Sequence, residues 1–123
     1  MSKVKVREIN VLAVYVSDLE KSKAFYIEQL GFEECEEISP GILLKSGDVT
    51  LYMEAGRKKR KSESREFSEF SPCFATDSVK QTYEVLKSSG IKIVEEYQEY
   101  APTFALFKII DPDGNLIEIA GKP

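Results

Sequence analysis

Val14-Tyr15-Val16-Ser17-Asp18-Leu19-Glu20-Lys21-Ser22, followed by Phe25-Tyr26 and Leu30-Gly31-Phe32, holds the change of pattern on which the fold turns. Upstream, residues 8–16 are β-rich and apolar on both parities, which fits a strand covered on two faces. Ile9, Val11, Ala13 and Tyr15 share one side, and Asn10, Leu12, Val14 and Val16 share the other. At Ser17 the period changes. Ser17 and Glu20 stand at capping-box spacing, with Asp18 as the alternative cap. A helix then runs to about residue 30, with Leu19, Ser22, Tyr26 and Leu30 on one face and Phe25 widening it. Gly31 is placed to end it in the left-handed conformation.

Three strands are expected next, at 32–38, 42–45 and 49–54, with turns at Pro40-Gly41 and Ser46-Gly47-Asp48. Residues 56–69 are dominated by charge and read as a solvated linker. Beyond it the order repeats. A strand is expected at 70–76 and Asp77 as a helix cap. Val79, Tyr83 and Leu86 then line one side of the helix, Gly90 stops it, and strands follow at 91–97 and 103–110. Asp18 and Gly31 are separated by the same interval as Asp77 and Gly90. Such a repeat describes two supersecondary units that share a buried surface.

A chain of 123 residues with 42% hydrophobic and 31% charged residues suits one soluble domain. The net charge of -4 argues against general nucleic-acid binding, which needs a basic face. Cys35 and Cys73 lack C-x-x-C spacing, and the N-terminus lacks a secretory apolar region. Reduced thiols and a cytoplasmic location are therefore expected. The chain has no histidine, which removes the commonest general base and the commonest transition-metal ligand together. No Ser/His/Asp set is possible, and neither cysteine can have a histidine partner.

The chain closes on Asp111-Pro112-Asp113-Gly114-Asn115-Leu116-Ile117-Glu118-Ile119-Ala120, a tight turn opening onto an apolar strand with one carboxylate. This stretch and the opening one together resemble the vicinal oxygen chelate superfamily, which holds glyoxalase I, bleomycin-resistance proteins and extradiol dioxygenases. The resemblance covers nearly the whole chain. It implies an α+β fold of two βαβββ modules whose curved half-sheets surround a central cleft. Here the whole of 1–123 would be one such domain, with module one at about 7–55 and module two at about 70–121. Members commonly dimerise, so a homodimer is expected.

The resemblance also implies four metal-ligand positions, on the first and last strand of each module. Counting back seven residues from the capping acids Asp18 and Asp77 gives Val11 and Phe70. Aligning Gly47 with Gly114 makes Leu51 the counterpart of Glu118. One potential ligand in four is too few for a divalent site, so no metal and no other cofactor is expected. The branch then implied is the metal-free one, whose members sequester a ligand without transforming it.

The expected ligand-binding set is Val11, Ala13, Tyr15, Leu51, Met53, Phe70, Phe74, Phe107 and Glu118. Phe107 joins it from being placed opposite Glu118 across the closing turn. Such a set suits an aromatic or cationic ligand with Glu118 as its anchor. Two alternatives stand beside this one. The first is a glyoxalase-like lyase, isomerase or epimerase using an unanticipated metal, or Glu118 as catalytic base. The second is a non-catalytic dimeric interaction module.

Overall fold

Two strand–helix–strand–strand–strand segments, each with its own four-stranded sheet, make up the protein in a computed structural model describing residue 5 and residues 8–56 and 71–123. The chain divides into two compact units between residues 58 and 59. Phe70 and most of the expected linker, residues 57–69, lie outside the described residues.

In the first unit, β1 (Leu12–Val16) leads into α1 (Leu19–Ala24). Asp18 is the cap, its Oδ1 accepting from the Lys21 N–H at 3.1 Å. The helix continues as a π-helical turn, Phe25–Gln29. It closes at Gly31, which has φ +76° and whose N–H reaches the Ile27 carbonyl at 3.2 Å. Ser22 and Tyr26 are buried, as the expected face requires. Strands β2 (Glu33–Ile38), β3 (Gly41–Ser46) and β4 (Val49–Ala55) complete the sheet in the order β1-β4-β3-β2, with β1 parallel to β4.

The second unit repeats this as β5 (Cys73–Phe74), α2 (Val79–Ser88), β6 (Ile93–Ala101), β7 (Phe104–Ile110) and β8 (Leu116–Gly121), in the order β5-β8-β7-β6. Its helix ends in a Schellman arrangement, with the Gly90 N–H on the Lys87 carbonyl and the Ile91 N–H on the Leu86 carbonyl, each at 3.1 Å. Val79 and Leu86 are buried, and Tyr83 stacks edge-on against Phe107 at 5.3 Å. Among the described residues, no helix is long and apolar enough to cross a membrane.

Three expectations need correction. Strand β1 is covered on one face rather than two: Val16 is fully buried, whereas Ala13 and Tyr15 are exposed. Apolar residues on both parities show what could be buried, and only the packing decides which side is. Second, the cap of α2 is Ser78, not Asp77: its Oγ accepts from the Gln81 N–H at 3.1 Å and donates to the Pro123 carbonyl at 2.9 Å. Third, the strand expected at 70–76 is reduced to Cys73–Phe74. Pro72 has no N–H for the ladder and contributes only its carbonyl, which accepts from the Glu118 N–H at 2.9 Å.

Candidate functional site

The second unit's sheet has two chemically different faces. Register pairs Phe74 with Ile119 and Phe107 with Ile119, so these three share one face, together with Ala105, Ile109 and Ile117. The Tyr83–Phe107 contact identifies that face as the one under α2. Phe107, Ile109, Ile117 and Ile119 are at most 1% exposed, and burying a side chain of this kind stabilises by about 1.5–3 kcal/mol.

The face away from α2 carries the chemistry. One register row crosses it: Cys73 pairs with Glu118, Glu118 with Lys108, and Lys108 with Glu95. Glu118 is half-buried, and among the described residues no side chain donates a hydrogen bond or an ion pair to its carboxylate. Lys108 instead places its Nζ 3.3 Å from Glu95 Oε1, with its side chain only 18% exposed. The Tyr100 hydroxyl donates to the other Glu95 oxygen at 3.2 Å. Cys73 is a free, exposed cysteine. Its thiol is nonetheless pushed up, first by desolvation of the sulfur against the sheet and then by the negative charge of Glu118.

Glu118 is held in place by the turn before it. The buried Asp111 carboxylate accepts from the Asp113 N–H at 2.9 Å, the Asn115 N–H at 2.8 Å and the Asn115 side-chain amide at 2.8 Å. The Asp111 N–H donates to the Asn115 carbonyl at 3.0 Å, and the Gly114 N–H to the Asp111 carbonyl at 2.9 Å. Asp111 therefore organises the loop, and Glu118 is the carboxylate set on the strand beyond it.

In the first unit the faces divide in the same way. Leu51 and Met53 pair with Leu12 and Val14, and they lie with Val16, Ile42 and Leu44 in the buried core. Ala13, Tyr15 and Tyr52 occupy the other face, and Val11, 40% exposed, continues it by alternation. The expected set is thus split by the pleat within each unit. Val11, Ala13 and Tyr15 stand on the face away from the core, as Glu118 does, while Leu51, Met53, Phe74 and Phe107 stand on the core faces. The residue opposite Glu118 is Lys108, not Phe107.

The register also corrects the alignment between the repeats. Ala13 pairs with Tyr52 as Cys73 pairs with Glu118, so Tyr52, not Leu51, is the counterpart of Glu118. The hairpin joining β3 and β4 turns on Gly47-Asp48, whereas the one joining β7 and β8 uses the longer loop of residues 111–115. Counting from glycine therefore slips by one residue. On the first strand, counting seven back from the true cap Ser78 reaches Ser71 rather than Phe70.

These positions do not suit a divalent metal. Val11 has no donor atom, the Tyr52 hydroxyl donates to the Ile38 carbonyl at 3.0 Å, and the Ser71 hydroxyl donates to the Leu116 carbonyl at 2.9 Å. Glu118 is the one carboxylate among them, and the described residues contain no group of three or more His, Cys, Asp or Glu able to hold a metal. Lys108 and Glu95, in the row of Glu118, are residues of the second unit that sequence reasoning missed, as are Ser71 before β5 and, in the first unit, Tyr52. Lys108 is the one charged residue in the otherwise apolar run 104–110, and that interruption could have drawn attention to it.

The model of the Glyoxalase/Bleomycin resistance protein/Dioxygenase superfamily matches residues 8–119. The uncharacterized protein YetH of Bacillus subtilis (strain 168) is 28% identical over 119 residues, spanning 90% of this chain and 95% of its own. Glutathione transferase FosA of Serratia marcescens is 26% identical over 116 residues, spanning 93% of this chain and 80% of its own. Among solved structures, SMU.1112c is 28% identical with a TM-score of 0.77, covering 94% of this chain and 99% of that one. Lactoylglutathione lyase from Agrobacterium tumefaciens, at 22% identity and a TM-score of 0.70 over 92% of each chain, shares the fold.

Proposed function

Since the chain belongs to the Glyoxalase/Bleomycin resistance protein/Dioxygenase superfamily, we propose that it is a metal-free small-molecule-binding protein of the cytoplasm. Its ligand is aromatic or cationic, and Glu118 anchors the ligand's cationic or hydrogen-bond-donating end. The observation that carries this reading is the state of Glu118: a half-buried carboxylate with no side-chain donor among the described residues, beside a lysine committed elsewhere. A partly desolvated carboxylate gains most from a ligand that brings the missing donor.

Calorimetry with a panel of aromatic cations, ethidium among them, tests the reading. Saturable binding that survives a chelator and weakens in Glu118→Gln supports it. No binding across the panel, or binding indifferent to Glu118→Gln, removes it. The reading includes a homodimer, which light scattering on the eluting protein checks.

The resemblance to glutathione transferase FosA favours a second reading, an enzyme. Stoichiometric metal in protein purified without added metal, with turnover lost on chelation, would establish it in place of the first.

A further inference from the structure

We propose that Glu95 is a positioning residue: by holding Lys108 on its far side, it keeps the Glu118 carboxylate uncompensated and open to a cationic ligand. The inference rests on the anchor role of Glu118 and adds what sets its selectivity for positive charge.

Lys108 stands between two carboxylates in one register row, Glu118 on β8 and Glu95 on β6. Side chains directly opposite across a strand pair have Cβ atoms about 4.5–5.5 Å apart, within the reach of a lysine on either side. The ammonium is with Glu95, at 3.3 Å. Two features favour that choice. The β6–β7 register shifts between Ile93 and Glu95 and again between Glu95 and Gln98. Since Ile93 pairs with Ile109 and Glu95 with Lys108, the first shift turns Glu95 from the α2 face onto the Lys108 face. The Tyr100 hydroxyl then binds the second Glu95 oxygen and restricts the carboxylate's rotation. The charged and titratable groups beside Glu118 in its row are Cys73 on one side and Lys108 on the other. An ammonium released from Glu95 has Glu118 as its neighbouring acid.

The experiment uses the full chain in a Cys35→Ser background, so that Cys73 is the single thiol and its alkylation by iodoacetamide reports the charge beside it without any ligand. Glu95→Gln keeps the side chain's shape and removes its charge. The expected result is faster Cys73 alkylation at pH 8 and weaker ethidium binding, each by about two- to five-fold, the range of a half-exposed ion pair. In a Lys108→Met background the same Glu95→Gln change leaves both readouts still, because the lysine that would move is gone. Equal effects of Glu95→Gln with and without Lys108 overturn the proposal, since they reduce Glu95 to a long-range charge. If the alkylation cycle shows the coupling while ethidium does not bind the parent protein, the positioning of Lys108 stands and the anchor role of Glu118 fails. Tyr100→Phe shifts both readouts in the direction of Glu95→Gln by a smaller factor, and no shift at all counts against the part assigned to Tyr100.

Discussion

Asp111 and Asn115 close the loop before β8 on each other twice over, main chain to main chain and carboxylate to side-chain amide at 2.8 Å. With the Asp113 and Asn115 N–H groups added, one buried carboxylate satisfies three donors. Asp111→Ala leaves those donors without their acceptor, at a cost of about 2–4 kcal/mol. Urea denaturation should show the midpoint fall by the corresponding amount, and an unchanged midpoint would contradict the assignment of Asp111 as the loop's organiser.

Ser78 and Asp77 make a paired test of the second helix's start. Ser78→Ala removes the acceptor for the Gln81 N–H and the donor to the Pro123 carbonyl, so it should cost about 0.5–2 kcal/mol. Asp77→Ala should cost clearly less, because Asp77 is exposed and is not the cap. Thermal melts of the two variants decide the order, and a reversal would return the cap to Asp77.

Leu51 and Tyr52 test the pleat of β4. Leu51 is fully buried, and Leu51→Ala should destabilise by about 2–5 kcal/mol through the cavity it leaves. Tyr52→Phe removes one hydroxyl bond to Ile38 and should cost about 1 kcal/mol. Equal losses in a denaturation series would be inconsistent with the two residues lying on opposite faces.

Tyr97 governs part of the alkaline limit. Desolvation, then the bond from its hydroxyl to Glu99 Oε2 at 2.7 Å, push the phenol from 10.0 up to about 12. In the unfolded chain the phenol ionises at about 10. Between those values the unfolded state binds fewer protons, so the stability present below about pH 10 is lost as pH rises towards 12. Tyr97→Phe should make the decline over that window shallower, without abolishing it, because Tyr100 is shifted the same way. An identical pH profile in the variant would count against this account.

Much of the architecture was legible in residue order. The change of hydrophobic period at Ser17, the cap at Asp18, the glycine stops at Gly31 and Gly90 and the repeated strand–helix–strand–strand–strand order all act over a few residues. Local chemistry is what a sequence displays. These features, with the absence of histidine, determined two βαβββ units and narrowed the chemistry.

The faces were decided by tertiary structure alone. Side chains alternate with period two, so one residue more between Gly47 and its paired strand position than between Gly114 and Glu118 was enough to exchange Leu51 for Tyr52 as the counterpart of Glu118. The same parity placed Phe74 and Phe107 under α2, and a register shift in β6 brought Glu95 round to Lys108. Neither loop length nor a bulge is written in the residue types. Both are settled when strands pair, and with them the question of which side chains stand beside Glu118.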